Sequence, residues 1–306
     1  MSITDRIDSH THVSSDRLVP KPSFPDTIKI EITSRCNFRC GYCAAGQHLR
    51  PVGDMNQEFL FRILHEAKSI GVREIGMFLL GESFLVKELP AYIRYAKEKA
   101  GIEYVFLTTN GSLCSPQRLE AVIDAGLDSL KFSINAGTPE KYKEMHGVDC
   151  FAKVMKNLKW LGERRRKPGC SLKMSVSSIF IEEDKSDLEK LRETVLQYVD
   201  DFYFLPYYNQ AGHVQNIGGF VGNPGRLGSL VSPIPCWGLF NSAKISWNGW
   251  LTACYFDHDN RFEIADLEQV SLMEAWHHPK FVELREQHLS GIVGGSLCAE
   301  CLGCRK

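Results

Sequence analysis

The chain alternates short, mostly apolar runs with amphipathic segments of helical spacing, and this alternation limits its fold more than any other feature. Runs of strand character are predicted at residues 27–33, 74–80, 103–108, 129–134, 172–181 and 202–207. Helices are predicted between them at residues 59–70, 89–100, 115–126, from 138 onward, 151–165 and 186–199. Strands that alternate with helices in this way pair in parallel and are covered by the helices. The sequence therefore predicts an α/β fold with fewer units than a closed (β/α)8 barrel.

Composition is that of an ordinary soluble protein and argues against two classes of partner. Hydrophobic residues make up 43% and charged residues 24%, and the formal net charge of -1 gives no reason to expect nucleic acid or an anionic membrane as a partner. No apolar stretch approaches the ~18 residues that span a bilayer, and residues 1–20 lack the apolar segment of a signal peptide. We therefore expect a cytoplasmic protein whose 11 cysteines bind metal or take part in catalysis.

Three of these cysteines, Cys36, Cys40 and Cys43, follow the first predicted strand with the spacing CxxxCxxC. A thiolate triad on one short loop can hold three irons of a 4Fe-4S cube and leave the fourth open to a small molecule. Two other interpretations are a structural zinc loop and three unrelated buried thiols. Zinc usually takes paired CxxC knuckles and a complete set of four ligands, so a lone triad fits it poorly.

The triad, with the aromatic Tyr42 directly before its last cysteine, resembles the radical S-adenosylmethionine (SAM) superfamily. The resemblance implies a partial (β/α)6 barrel in which Cys36, Cys40 and Cys43 hold a 4Fe-4S cluster. It also implies that SAM chelates the open iron and is cleaved to a 5'-deoxyadenosyl radical, which abstracts hydrogen from a substrate. Tyr42 stands at the position that commonly lies beside the adenine of SAM.

The same resemblance implies further SAM-contacting positions, all toward the carboxyl ends of predicted strands. Gly81 and Glu82 occupy the place of a Gly-Gly-Glu-Pro motif, whose backbone carbonyls and acid receive the SAM ammonium, although the match is partial. The positions that would approach the SAM carboxylate and ribose are Asn110, Ser133, Asn135 and Ser175, with Ser177 as an alternative to Ser175. Each position also has an ordinary alternative as a turn residue, a surface acid or a solvated strand residue.

A second set of cysteines follows the strand and helix pattern. Cys236 and Cys254 flank residues 244–252, which predict a hairpin because an Asn-Gly turn joins two short strands. Three more cysteines lie close together near the C-terminus: Cys298, Cys301 and Cys304. By themselves these ligands would suit zinc or iron.

This pattern resembles the SPASM and twitch extensions that carry auxiliary 4Fe-4S clusters in the radical SAM superfamily. A twitch with one cluster is the most similar, and it implies a helix at residues 272–285 and the ligands Cys236, Cys254, Cys298 and Cys301. Cys304 is left as an alternative ligand, a free thiol or a hydrogen donor. The predicted organisation is an N-terminal tail (1–26), a radical SAM core (27–211), a connector (212–235) and a twitch/SPASM-like module (236–306).

The layout is most similar to the family of 2-deoxy-scyllo-inosamine dehydrogenase, a radical SAM family that oxidises an alcohol to a ketone. The resemblance implies a small polar substrate, a sugar or an aminocyclitol, that loses hydrogen from its carbinol carbon and its hydroxyl proton to a base. It further implies that the auxiliary cluster accepts the second electron. A reducing donor such as flavodoxin or ferredoxin would be the protein partner.

Three other functions remain open. A radical epimerase needs a thiol to return hydrogen, and the spare cysteines are Cys304, Cys114, Cys150 and Cys170. A maturase of ribosomal peptides is weakened because no leader-binding domain is visible in the sequence. Outside catalysis, the chain would be an iron-sulfur electron-transfer protein or a zinc-binding protein.

Two groups of residues carry weaker signals. His10 and His12 would suit a metal, but a mobile tail explains them more simply. Tyr207, Tyr208, Asn209 and His213 follow the sixth predicted strand and are candidates for the lining of a substrate cavity.

Overall fold

The computed structural model describes residues 2–205, 207, 209–214 and 234–301. Tyr208, Cys304 and most of the predicted connector (212–235) lie outside the described residues. The described strands form one sheet in the order β6-β5-β4-β3-β2-β1-β7-β8-β9. They are β1 (Thr27–Ile30), β2 (Glu74–Gly76), β3 (Tyr104–Thr109), β4 (Ser129–Ser133), β5 (Lys173–Ile179), β6 (Asp201–Leu205), β7 (Ala243–Ile245), β8 (Trp250–Thr252) and β9 (Glu263–Asp266). Strands β1 to β6 pair in parallel, which confirms the predicted α/β class.

The α-helices alternate with the parallel strands as the sequence predicts. They are α1 (Ile3–Thr11), α2 (Gln57–Ser69), α3 (Leu89–Glu98), α4 (Pro116–Asp124), α5 (Pro139–His146), α6 (Phe151–Arg165), α7 (Lys185–Val195), α8 (Leu272–Trp276) and α9 (Pro279–Leu289). Side-chain caps fix where several of them begin: Ser115 and Thr138 each accept a hydrogen bond from the first turn of a helix whose first residue is proline. Among the described residues, no helix has the length and apolar character needed to cross a membrane.

Successive side chains of a strand point alternately to the helix-covered core and to an interior cavity. In β1, Ile28 and Ile30 are fully buried in the apolar core that includes Leu60 of α2. Lys29, between the two isoleucines, faces an interior cavity instead. The helices therefore cover one face of the parallel sheet, and the other face encloses a lumen.

The C-terminal hairpin continues the barrel sheet instead of forming a sheet of its own. β7 pairs in parallel with β1, with Ile28 opposite Ala243 and Ile30 opposite Ile245. β7 and β8 pair antiparallel across a turn at Gly249, whose φ of 89° favours glycine. The predicted hairpin is thus confirmed. Its attachment to β1 and the third strand, β9, were not predicted, because pairing between distant strands leaves no local pattern in the sequence.

The first helix lies across the amino ends of the parallel strands. The backbone N–H groups of Ile3 and Thr4 donate to Oδ2 of Asp201, the first residue of β6, at 2.8 and 3.3 Å. Nη1 of Arg6 lies 2.6 Å from Oε2 of Glu74, the first residue of β2. Helix α1 therefore connects two strands that stand well apart in the sheet order.

The prediction of a mobile N-terminal tail is wrong for this helix. Ser2 and Asp5 form a capping box that starts α1, a signal that the sequence carries but that the prediction did not use. His10 is held as well, with Nε2 2.8 Å from Oε2 of Glu74. Helix α1 packs against the amino ends of β2 and β6, and these contacts hold the N-terminal segment in place.

The helix predicted at residues 272–285 is two helices, α8 and α9. Pro279 is the first residue of α9 and has no N–H to continue the hydrogen bonds of α8. Trp276 at the end of α8 is fully buried, and its Nε1 donates to the carbonyl of Pro22 at 3.0 Å. This contact ties the C-terminal region to the N-terminal segment.

Candidate active site

The lumen of the barrel is a cavity of about 440 Å³. Its wall is built from the parallel strands, from α1 and from the C-terminal region. Tyr42 and Cys43 of the first cysteine loop line it, and so do four cysteines of the second set: Cys236, Cys254, Cys298 and Cys301. Both cysteine regions therefore face one cavity.

The first cysteine loop leaves the end of β1 and is held by backbone contacts on both sides. The N–H of Ser34 donates to the carbonyl of Gly53 at 3.0 Å, and the N–H of Gly41 donates to the carbonyl of Met145 at 3.1 Å. These bonds fix the loop that presents Cys36, Cys40 and Cys43.

The environment of these thiols is suited to a metal centre. Burial raises the pKa of Cys36 to about 11 and that of Cys40 to about 12. The carboxyl group of Glu82 adds to the effect on Cys36, and the thiol of Cys43 adds to the effect on both. Thiols in this place would stay protonated at neutral pH, so three thiolates together require the positive charge of metal ions. Three soft ligands on one loop at the edge of a cavity fit a 4Fe-4S cluster with one open iron.

Gly81 lies against the backbone of the cysteine loop. A Cβ at this position would lie 2.1 Å from the carbonyl oxygen of Thr33 and 2.9 Å from that of Arg35. The N–H of Glu82 donates to the same Arg35 carbonyl at 2.8 Å. Only glycine allows this close approach of the two loops.

The Glu82 carboxylate is buried and accepts hydrogen bonds from the protein itself. Oε1 accepts from the N–H of Phe84 at 3.1 Å and from Oγ1 of Thr109 at 2.8 Å, and Oε2 accepts from the N–H of Asn110 at 2.7 Å. Nδ2 of Asn110 in turn donates to Oδ1 of Asn37 in the cysteine loop at 2.9 Å. Gly81, Glu82 and Asn110 are not on the cavity wall. The structure joins them to the support of the cysteine loop, and their contact with SAM stays a prediction.

Tyr42 and Asn135, both predicted to approach SAM, are in contact on the cavity wall. Nδ2 of Asn135 donates to the Tyr42 hydroxyl at 2.6 Å. His146 lies behind them, with Nε2 3.2 Å from the N–H of Asn135 and Nδ1 3.5 Å from Sγ of Cys40. Burial lowers the pKa of His146 to about 3, so the ring is neutral. Sequence reasoning missed His146, since nothing local separates it from an ordinary histidine at a helix end.

Ser133 and Ser175 both line the cavity, on neighbouring strands. In the register of β4 and β5, Ser133 pairs with Ser177 and Lys131 pairs with Ser175. Ser177 is therefore level with Ser133, and Ser175 lies one layer closer to the amino ends of the strands.

Three of the four predicted auxiliary ligands, Cys236, Cys254 and Cys298, lie close enough to Lys244 of β7 to act on its charge. Burial lowers the pKa of Lys244 to about 8, while Cys236, Cys254 and Cys298 act in the opposite direction. Burial raises the pKa of Cys236 and Cys254, and the thiol of Cys301 adds to the effect on both. All four thiols line the same cavity and supply the soft donors that an iron-sulfur centre uses, and their individual roles as ligands stay a prediction.

Three basic side chains in the lumen were missed by sequence reasoning: Arg6, Lys29 and Lys131. A signal was present, because a lysine between apolar residues in a short strand, as in Ile28-Lys29-Ile30, marks the face that the helices do not cover. Identifying that face as the wall of a cavity requires the tertiary structure.

Of the other candidates for the cavity lining that the structure describes, one lies on the cavity wall and two do not. Tyr207 lines the cavity. Nδ2 of Asn209 instead donates to the carbonyl of Glu300 at 2.7 Å, and Nε2 of His213 lies 3.5 Å from Oδ2 of Asp259. These two residues hold the loop that follows β6 against the C-terminal region.

The spare cysteines within the described residues lie away from the cavity wall: Cys114, Cys150 and Cys170. Sγ of Cys114 is 3.5 Å from Oγ1 of Thr109, and Sγ of Cys150 is 4.0 Å from the hydroxyl of Tyr142. None of the three is placed to return hydrogen to a molecule in the lumen.

Family models match two parts of the chain. The Radical SAM superfamily matches residues 30–195, which is more than half of the chain. SPASM, an iron-sulfur cluster-binding domain, matches residues 236–305.

Relatives are found among curated proteins over part of their length. The GTP 3',8-cyclase of Chlorobaculum tepidum is 34% identical over 133 residues, which cover 44% of this chain and 40% of that enzyme. The GTP 3',8-cyclase of Limosilactobacillus fermentum is 35% identical over 123 residues, covering 39% of this chain and 36% of that enzyme. The match thus spans less than half the length of these relatives.

Solved structures resemble nearly the whole chain. BtrN in complex with AdoMet and 2-DOIA aligns with a TM-score of 0.63 at 19% identity, covering 91% of this chain and 93% of that one. Streptococcus suis SuiB bound to precursor peptide SuiA aligns with a TM-score of 0.69 at 17% identity, covering 91% of this chain and 68% of that one. At these identities the alignments show a shared fold.

A radical SAM domain implies a 4Fe-4S cluster with SAM, and a SPASM domain implies additional auxiliary iron-sulfur centres. The cysteine loop at the cavity edge and the grouped C-terminal thiols provide the soft donors that these cofactors need. The chain belongs to the Radical SAM superfamily.

Proposed function

We propose that this chain is an oxidoreductase that takes a hydrogen atom from a carbinol carbon of a small polar substrate and oxidises the alcohol to a ketone. One observation carries the proposal: Cys43 of the first cysteine loop and the four grouped cysteines of the C-terminal region line the same cavity. A substrate in that cavity would lie between the place where a radical is made and a place that can accept an electron.

The reaction removes two electrons and two protons from the substrate. Its carbinol carbon loses a hydrogen atom, its hydroxyl loses a proton to a base or water in the lumen, and one further electron leaves. When bound, the cofactors supply the 5'-deoxyadenosyl radical that takes the hydrogen atom and an auxiliary cluster that takes the electron. The reductant for SAM cleavage would come from a donor such as flavodoxin or ferredoxin.

The chain's own residues would bind and enclose the substrate. Tyr42 and Asn135 would orient SAM from the wall, since they are joined to each other and to the cysteine loop. On the opposite side, the rings of Trp237 and Tyr255 lie 5.1 Å apart and form an apolar surface beside Cys236. Such a surface excludes water from a reactive intermediate.

Epimerisation is less well supported than oxidation. An epimerase needs a hydrogen donor on the far side of the substrate, and the three spare cysteines among the described residues do not line the cavity. Cys304, the remaining candidate, lies outside the described residues.

A second candidate comes from the relatives named GTP 3',8-cyclase. Radical attack within a nucleotide would use the same first cysteine loop, and the basic side chains of the lumen would suit a phosphate. The match covers 40% of the C. tepidum enzyme, so cyclisation ranks behind oxidation.

The test is a reaction of the anaerobically reconstituted protein with reductant, SAM and alcohols deuterated at the carbinol carbon. Parallel reactions use unlabelled alcohols in deuterated water, and GTP in place of the alcohol. We expect deuterium in 5'-deoxyadenosine and an equal amount of ketone. Cys36→Ala should abolish both products, whereas Cys254→Ala should still form 5'-deoxyadenosine but little ketone. Solvent deuterium at an inverted carbon would instead identify an epimerase, and cyclised nucleotide without ketone would identify a cyclase.

A further inference from the structure

We infer that the substrate carries an oxyanion, a carboxylate or a phosphate, and that Lys29 and Lys131 bind it near the floor of the barrel cavity. The inference rests on the proposed function, because it names the class of substrate for the same cavity. It differs from the expectation of an aminocyclitol, whose ammonium would meet charges of its own sign.

The charges of the cavity wall carry the inference. The wall contains Arg6, Lys29 and Lys131, and no aspartate or glutamate among the described residues. Arg6 is neutralised in part by Glu74, 2.6 Å away. Lys29 and Lys131 form cation–π contacts but have no ion pair within the described part of the chain. Two amines facing a cavity without a counter-charge are costly to keep protonated, and an oxyanion ligand would supply that counter-charge.

Beyond the effect of burial, positively charged neighbours repel Lys29 and Lys131 and lower the pKa of each. Burial lowers the pKa of Lys29 well below its usual range, and Lys131, Arg6 and Lys244 lower it further. Burial and Arg6 also lower the pKa of Lys131. An oxyanion between Lys29 and Lys131 would replace this repulsion by two charge-assisted hydrogen bonds.

Lys29 and Lys131 differ from Lys244, the buried lysine beside the second set of cysteines. The thiols of Cys236, Cys254 and Cys298 act on Lys244, whereas no thiol is among the groups that shift Lys29 or Lys131. Nζ of Lys244 also donates a hydrogen bond to the carbonyl of Gly238. Neutralising a metal centre therefore accounts for Lys244 and leaves the other two lysines for a ligand.

The register of β4 and β5 places Lys131 level with Ser175 and closer to the amino ends than Ser133, another predicted SAM contact. Lys131 pairs with Ser175, and Ser133 lies two residues closer to the carboxyl end of β4. Two residues of a strand correspond to about 7 Å. An oxyanion held at this level would anchor one end of the substrate and leave its other end beside Tyr42 and Cys43. The ring of Tyr255, whose centre is 4.3 Å from Nζ of Lys29, would cover the side of the bound group.

The test measures binding to the holoenzyme, with both cysteine regions loaded with iron and SAM present, by anaerobic calorimetry. The probes are inorganic phosphate, glucose 6-phosphate, glucuronate and glucosamine. We expect glucose 6-phosphate or glucuronate to bind at least about tenfold more tightly than glucosamine, and the comparison of these two distinguishes phosphate from carboxylate. Lys131→Gln should weaken that oxyanion by about tenfold or more, and Lys131→Arg should restore it to within about threefold.

Iron content and SAM affinity of each variant show whether the site is still assembled, and Lys29→Gln repeats the test from a different strand. Three outcomes would overturn the inference: no oxyanion binds, glucosamine binds best, or Lys131→Gln weakens SAM and leaves the oxyanion unchanged. Binding does not require SAM cleavage. Oxyanion binding without ketone formation would refute only the proposed reaction, and oxidation of an aminocyclitol or an uncharged sugar at a carbinol carbon would refute only the inference.

Discussion

Asn135 donates its backbone N–H to Nε2 of His146 over 3.2 Å, and this bond determines which ring nitrogen carries the proton. A neutral imidazole has one N–H, so a ring that accepts at Nε2 is protonated at Nδ1. Nδ1 lies 3.5 Å from Sγ of Cys40 and 3.1 Å from the Tyr42 hydroxyl. The protein therefore places one neutral N–H within reach of both the Tyr42 hydroxyl and the sulfur of Cys40, a predicted iron ligand.

Removing this donor should lower the reduction potential of the first cluster. A hydrogen bond to a ligand sulfur stabilises the reduced, more negative state of an iron-sulfur cluster. We expect His146→Phe, which keeps an aromatic ring against Tyr142, to shift the potential to more negative values in a titration followed by electron paramagnetic resonance. His146→Asn keeps an N–H group near the position of Nδ1 and should shift it less. Equal potentials in the two variants would contradict this role.

Gly81→Ala should prevent loading of the first cluster. The added Cβ would lie 2.1 Å from the Thr33 carbonyl, so the cysteine loop must move. We expect lower iron content and a loss of about 1–3 kcal/mol in the free energy of unfolding, as for other overpacked sites. Gly41→Ala is the matched control, because Gly41 is in the same loop and a Cβ there meets nothing within 4 Å. A normally loaded Gly81→Ala protein would refute the need for this close contact.

Cys254→Ala should remove only the auxiliary iron. A protein with two 4Fe-4S clusters contains about eight irons, and loss of one cluster leaves about four. Production of 5'-deoxyadenosine should continue, because Cys36, Cys40 and Cys43 are untouched. Cys170→Ala, at a half-buried cysteine outside the cavity, should keep the full iron content. Zinc in place of iron in the wild-type protein would exclude the cluster altogether.

Lys131→Met should stabilise the substrate-free protein at neutral pH. Burial and the charge of Arg6 lower the pKa of Lys131 from 10.5 to about 8. Because the folded-state pKa is the lower one, the charged lysine destabilises the fold below pH 8, and this penalty fades as the pH rises from 8 to 10.5.

In a buffer without oxyanions, thermal unfolding at pH 7 should therefore favour Lys131→Met by about 1–3 kcal/mol, since one pKa unit corresponds to about 1.4 kcal/mol. The advantage should shrink near pH 10. Lys159→Met, at an exposed position on α6, should have little effect at either pH. Equal stabilities of the wild type and Lys131→Met at pH 7 would show that the lysine is already neutralised.

Much of the fold was accessible to sequence reasoning because its signals are local. Helix α6 was predicted with the bounds that the structure has, Phe151–Arg165. Strand β2 was predicted too long, at residues 74–80, but ends at Gly76. The chain leaves the sheet there and turns so that Gly81 can meet the cysteine loop. That departure depends on a tertiary contact, which an apolar run does not reveal.

The candidate site was predicted less completely, for a similar reason. The spacing of the cysteines carried the family resemblance, and the resemblance implied Asn135 and Ser133, which the structure places on the cavity wall. Whether a side chain faces the lumen or a neighbouring loop depends on how the strands curve. Glu82, predicted to contact SAM, is not on the cavity wall and accepts a hydrogen bond from the N–H of Asn110, so that contact stays a prediction. For Lys131 the strand was predicted correctly, but its position on the cavity wall was not predicted.

The parallel pairing of β7 with β1 makes the two cysteine regions parts of one folding unit. A chain cut before β7 would leave unpaired the backbone N–H and C=O groups of β1 that face β7, and such an edge invites association with other chains. The C-terminal region therefore cannot be deleted or exchanged as a cassette without supplying a strand in the same register. Any engineered replacement must first complete the barrel before it can offer new chemistry.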